Sequence, residues 1–294
     1  NGIIKIKRSV VPPVIIDSYL VVATWYPSVE VFDLETGKIL WKYHLREKNS
    51  NYGGGNPWGG ISADTERGIV YLTTGNPDNY FIGVKRPGKN LYANSVIAID
   101  IKNKKELWKF QETRHDLWNL DMPAAPILTT IKHESKKIDV VIAVTKLGNT
   151  IILDRMNGNM INEYQMINVK RSLVKGERSS LKQPYFIKPK PFSENQFKAS
   201  HIFSFNKNEQ KELKESLKNY DFGFYLPSQI GRKILRYNFS GGAEWTGGSI
   251  DSENGILYVT ANNVLFETEI LKKKSFFSLK YLNKFKRFQT KEKY

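Results

Sequence analysis

Apolar residues come in short runs bounded by Asp, Asn, Gly and Pro, and hardly anywhere do they recur at the three- and four-residue spacing of a helix. The stretch 10–24, VVPPVIIDSYLVVAT, is two β-branched runs broken at Asp17 and Ser18, which predicts a hairpin. Residues 31–43, VFDLETGKILWKY, predict two strands around a turn punctuated by Asp33 and Gly37, with Trp41 directed to one face. Apolar runs at 68–74 and 95–101 predict further strands. Residues 138–155 predict a hairpin that turns at Leu147, Gly148 and Asn149, with Lys146 ending its first strand. Only residues 208–219 read as a short helix.

Two units recur. Asp33 and Trp41 in the first are matched by Asp100 and Trp108 in AIDIKNKKELWKF, and Asp154 with Gly158 repeats it again with Asn162 in the Trp position. Asp64, Gly68 and Tyr71 in SADTERGIVY are matched by Asp251, Gly255 and Tyr258 in SIDSENGILY. Short strands separated by recurring Asp/Asn/Gly turns indicate an all-β radial repeat, and a β-propeller fits best. On this reading residues 1–164 are propeller blades, 165–238 a Lys-, Ser-, Pro- and Asn-rich excursion, 239–270 a further blade, and 271–294 a basic tail. In the tail, Leu282, Phe285 and Phe288 stand at helical spacing among lysines, so a basic amphipathic helix competes with the start of a further blade.

Composition narrows the chemistry. The 294 residues, 40% hydrophobic, suffice for a sizeable core. There is no cysteine, which excludes a disulfide framework, a thiol nucleophile and a Cys-based zinc site within the chain. His44, His115, His133 and His201 lack metal-ligand spacing; His115 alone lies in a loop that suggests chemistry. The net charge of +16 raises nucleic acid as a partner, but residues 271–294 hold nine Lys or Arg against one Glu, half of that excess, and no nucleic-acid-reading motif accompanies them. No nucleic-acid partner is expected. No run approaches the roughly 18 apolar residues of a membrane span, so membrane association is expected only through segments outside the chain. GVKRPGK at 83–89 is close to a phosphate loop, but Asn90 replaces the required Ser or Thr and Pro87 stands where a helix would begin. It reads as a loop between strands.

The densest chemistry lies at 53–126, where two strand-like runs are each closed by a loop carrying aromatic, amide or acidic residues. NPWGGISAD with RGIVYLTTGNP, RPGKNLYANSVIAID, HDLWNLDMPAAP, AVTKLGNTIILDR and SGGAEWTGGSIDSENGILYV, in that order, resemble the quinoprotein dehydrogenases, propellers that bind pyrroloquinoline quinone (PQQ). The branch they look closest to contains membrane-bound glucose dehydrogenase and related sugar or polyol dehydrogenases.

The resemblance implies an eight-bladed propeller, of which a chain this long holds half to two-thirds, and unclosed edges that make the isolated piece prone to aggregate. It implies oxidation of an alcohol, sugar or polyol, a quinone or cytochrome as electron acceptor, periplasmic placement, and PQQ with a calcium ion, ahead of a lanthanide, as cofactors. Trp58 matches the residue whose indole face holds the planar quinone, although without the resemblance packing between blades is the favoured reading of Trp58. Asn56, Lys146, Glu244 and Trp245 fall at cofactor-binding positions, and Asn76, Asn119 and Asp121 at or beside metal positions. Lys146 matches a cation that hydrogen-bonds the quinone oxygen. The family's proton-accepting Asp directly follows Trp, but this chain has Asn119 after Trp118; an amide offers oxygen to a metal yet accepts no proton near neutral pH. Asp121 is the acid left to compensate, to bind metal, or to act structurally. Two further departures are Glu244, where the best-known members carry Asn, and the short loop at 24–28, with no clear counterpart of the family's first metal ligand. Loss of the base with retention of the propeller also fits a binding or assembly module.

Overall fold

The computed structural model describes residues 9–271, apart from 49, 51 and 238, together with the backbone of 272–274 and 279–287. Its chain is built from antiparallel meanders. β1 (Val14–Ile16), β2 (Tyr19–Thr24), β3 (Ser28–Asp33) and β4 (Ile39–His44) form one four-stranded sheet in sequence order. β5 (Ile61–Asp64), β6 (Ile69–Thr73), β7 (Ser95–Asp100) and β8 (Lys105–Gln111) form the second. β9 (Ile127–His133), β10 (Lys136–Val144) and β11 (Thr150–Asp154) form a third, and β16 (Ala243–Asp251) pairs with β17 (Ile256–Ala261). The first strands of the successive sheets neighbour one another, β1 against β5, β5 against β9 and β9 against β16, which is the radial order of a propeller.

The same turn closes successive hairpins. Asp33 accepts the amide of Thr36 at 2.6 Å, Asp64 that of Arg67 at 3.0 Å, Asp100 that of Asn103 at 2.8 Å, and Asp251 that of Asn254 at 3.1 Å. These are Asx turns, the physical content of the repeating aspartate. Because side chains alternate across a strand, β6 is buried on both faces: Val70 and Leu72 pack toward the first sheet, Ile69 and Tyr71 toward the third. Trp108 locks the second sheet to the third by donating from Nε1 to the Arg155 carbonyl at 3.1 Å, an oxygen that Tyr71 also reaches at 3.1 Å. Asn162, in the Trp position of the third repeat, instead bonds the backbone of Ile152, Thr150 and Lys188.

The excursion carries β12 (Glu163–Asn168) paired with β13 (Lys182–Lys188), helix α1 (Lys207–Ser216), β14 (Tyr220–Phe222) and β15 (Lys233–Arg236). The short helix expected near 208–219 is α1, capped by Asn206, whose side chain accepts from the amides of Asn208 and Glu209. Beyond β17 the chain leaves that hairpin: β18 (Phe266–Lys274) pairs with β15, and β19 (Leu279–Arg287) pairs with β18. The helical alternative for the tail therefore does not hold over 279–287, where the backbone is a strand in regular antiparallel register; Phe288 lies outside the described residues. A pattern of apolar positions three apart is too short there to outweigh the strand pairing offered by β18.

Candidate active site

The loop that enters β5 and the loops that follow β6 and β8 converge at one end of the second sheet. Asp121, 7% exposed, is their centre. Its Oδ1 accepts the backbone amide of Asn76 at 2.8 Å and the indole N–H of Trp58 at 3.3 Å, and its Oδ2 accepts Lys146 Nζ at 2.7 Å. Lys146 also reaches the carbonyls of Asn119 and Phe239, each at 3.4 Å. Three chain segments, from β5, β6 and β10, are thus tied to one carboxylate. A Cβ on Gly75 would fall 2.6 Å from Trp58 Nε1 and 2.7 Å from Asp121 Oδ1, so only glycine lets the indole and the carboxylate meet there.

Trp58, Asn56, Asn76, Asn119 and Asp121 line a cavity of about 410 Å³, within the size range of small-molecule sites. Asn76 donates from Nδ2 to the Pro77 carbonyl at 3.0 Å, leaving its amide oxygen as the acceptor for the cavity. Asn119 is held in the left-handed region (φ 65°), next to a buried Asp116 that accepts the amides of Trp118 and Leu120, both at 2.7 Å. The cavity wall also includes Asp78, Trp25 and Tyr80, which sequence reasoning missed. Asp78 was legible only as the third residue of the Asn76-Pro77-Asp78 turn. It adds a second carboxylate to a wall that is otherwise rich in amides and aromatic rings. Oxygen donors of this kind suit a hard cation.

The remaining sequence candidates lie apart from the cavity wall. Lys146 stands behind Asp121. Glu244 runs beside the Lys146 stem: a Cβ on Gly241 would fall 2.8 Å from Glu244 Oε1 and 3.0 Å from Lys146 Cγ. Burial pushes the Glu244 carboxyl above its usual range; Lys146 opposes this and Asp121 reinforces it. Trp245 points away, 78% exposed on β16. His115 is not at the cavity. Its Nδ1 faces the Gly88 carbonyl at 2.6 Å and its Nε2 faces Glu177 Oε1 at 2.8 Å, both side chains fully buried, so it fastens the excursion to the 83–89 loop. That loop is further held by Arg86, which donates to Asn90 Oδ1 at 2.8 Å and to the Asp116 carbonyl.

Residues 6–294 match the family described as PQQ: glucose/ethanol/alcohol dehydrogenase, beta-propeller domain. Similar curated proteins include quinoprotein glucose dehydrogenase A of Acinetobacter calcoaceticus, 28% identical over 261 residues, with 82% of this chain and 32% of the relative covered. The glycerol dehydrogenase large subunit of Gluconobacter oxydans is 25% identical over 291 residues, covering 90% of this chain and 39% of the relative. The chain therefore spans between about a third and two-fifths of the length of such relatives. Among solved structures, a europium-containing methanol dehydrogenase superposes with a TM-score of 0.62 at 18% identity, over 89% of this chain and 46% of that one. The quinohemoprotein alcohol dehydrogenase of Comamonas testosteroni gives 0.60 at 20% identity, over 88% and 38%. At these identities the superpositions speak to the fold, which is the propeller of the quinoprotein dehydrogenases. The recurring turns, the radial order of the sheets and the match over residues 6–294 lead to one assignment: this chain belongs to the PQQ-dependent glucose/ethanol/alcohol dehydrogenase β-propeller family.

Proposed function

We propose that this chain supplies the quinone-binding face of a PQQ-dependent dehydrogenase that oxidises an alcohol, sugar or polyol and passes the electrons to a quinone or cytochrome, in the periplasm. The observation that carries this reading is the Asp121 carboxylate. It is bonded at once to Trp58, Asn76 and Lys146 beneath a cavity of small-molecule size. The residues fit the cofactor. Trp58 offers an aromatic wall fixed at its N–H edge, and the amide oxygens of Asn76 and Asn119 with the carboxylate of Asp78 would form an oxygen donor set for calcium or a lanthanide.

When bound, PQQ with its cation supplies an electrophilic carbonyl that accepts hydride from the substrate carbon. The chain's own residues do the rest. Trp58 holds the ring plane, Asn56 and Asn76 shape the wall beside it, and Lys146 fixes Asp121 while adding positive charge behind the site. Glu244, on β16, lies beside the Lys146 stem, while Trp245 next to it is exposed at the edge where further blades would continue the wall. Asn119 accepts no proton, so the alcohol proton goes to Asp121, whose carboxylate keeps acceptor capacity beyond its three donors.

Asn119 also favours a second reading, a propeller that keeps the pocket but serves as a binding or assembly module. Dye-linked alcohol oxidation by the full-length protein with added PQQ and calcium separates the two. Turnover by the natural protein, lost in Asp121→Asn, supports the dehydrogenase with Asp121 as base. Turnover only after Asn119→Asp identifies a lapsed enzyme, and none in either leaves the binding module.

A further inference from the structure

Away from the Asp121 cavity, the excursion meets the loop carrying Asn119 around a small half-open cavity of about 30 Å³, room for one or two water-sized groups. Trp118 and Tyr225 meet edge to face there, ring centroids 4.9 Å apart, and Arg236 at the end of β15 closes the wall. All three are more than nine-tenths buried: Trp118 is 5% exposed, Tyr225 4% and Arg236 9%. Yet the Trp118 indole N–H and the Arg236 Nε and Nη1 have no hydrogen-bond partner among the described residues, and the Tyr225 hydroxyl has only the Thr113 hydroxyl near it, outside ideal bonding geometry. Among the described residues Arg236 makes one hydrogen bond, from Nη2 to Ser228 Oγ at 3.0 Å, and it lies 5.4 Å over the Phe81 ring.

A buried guanidinium without a bonded carboxylate is costly, and so is each orphaned donor. Neighbouring acids do not relieve it. Asp116 attracts Arg236 through space, but its oxygens are occupied by the amides of Trp118 and Leu120 and by Asn94 Nδ2. Glu112 bonds Asn149 through Oε1, and burial drives its carboxyl toward the neutral form. Burial also draws the Arg236 pKa down to about 10, which leaves it charged at neutral pH. Arginine and tryptophan N–H groups only donate, so these side chains call for acceptors and for one negative charge. We propose that this cavity is a binding site for a small monovalent anion, a halide or a short carboxylate. Bound to Arg236, Tyr225 and Trp118, the anion fastens the excursion to the loop that presents Asn119. This inference does not depend on the dehydrogenase reading.

The test uses the full-length protein with bromide as the probe. Crystals soaked in sodium bromide are expected to show an anomalous peak between Trp118 and Arg236. In solution, bromide is expected to raise the thermal midpoint saturably, on top of the general salt effect, with an affinity about tenfold or more weaker in Arg236→Gln. Tyr225→Phe keeps the ring packing and is expected to weaken bromide severalfold, which preserves the test if Arg236→Gln fails to fold. Formate competing with bromide assigns a carboxylate site; bromide binding without competition assigns a halide site. Water in the cavity of bromide-soaked crystals, or the same bromide response in the natural protein and in Tyr225→Phe, overturns the proposal.

Discussion

Asp121 and Lys146 are each under one-tenth exposed, so their ion pair is a buried one. Asp121→Asn takes away the carboxylate half of this pair and is expected to destabilise the protein by about 3 kcal/mol, read by urea unfolding. An unchanged midpoint would mean that Lys146 finds other compensation. Glu112 provides a pH test. Burial raises its carboxyl to about 7, opposed by hydrogen bonds from Asn149 and Thr145. A folded-state value above the unfolded one, about 4.3 for a glutamate, means that the folded state holds the extra proton between the two. Its contribution to stability is therefore full below about pH 4.3 and lost as pH rises through 7. Glu112→Gln keeps an oxygen for Asn149 and removes the charge, so it should flatten the fall in stability between about pH 4.3 and 7 and stabilise most above that window. A fall of the same steepness in the variant would exclude Glu112 as its source.

The turn is the element that organises the blades, and two of its glycines separate backbone strain from packing. Gly158 (φ 71°) and Gly255 (φ 67°) hold equivalent left-handed positions, but a Cβ on Gly158 would fall 2.6 Å from the Trp108 ring while one on Gly255 meets nothing within 4 Å. Gly255→Ala should cost about 1–2 kcal/mol from conformation alone. Gly158→Ala should cost at least about 3 kcal/mol, because the packed indole must also shift. Equal melting of the two variants would show that Trp108 yields freely. These turns were legible in the sequence because they are local: an aspartate accepts an amide two or three residues on, and a glycine follows. The same holds for α1 and its Asn206 cap. The departure of β18 to β15 was not legible, because a pairing between residues 233 and 269 leaves no periodic trace in either strand.

At the scale of the molecule, Trp58, Asn76, Asp121 and Lys146 were singled out in the sequence, and they form one bonded cluster. Asp78, Trp25 and the orphaned donors around Arg236 were missed, since their roles depend on which loops meet in space. The chain spans 32% of the Acinetobacter relative and holds a β16–β17 hairpin that pairs with no third strand among the described residues. Expressed alone, the 294 residues are expected to self-associate, as light scattering would show; a cooperatively melting monomer would contradict this. The central claim is that the cavity above Asp121 is a quinone site walled by Trp58. It is tested most directly by titrating the full-length protein with PQQ and calcium while following tryptophan fluorescence. The account predicts saturable, calcium-dependent quenching that Trp58→Ala largely abolishes. Absence of quenching, or the same quenching in Trp58→Ala, would contradict it.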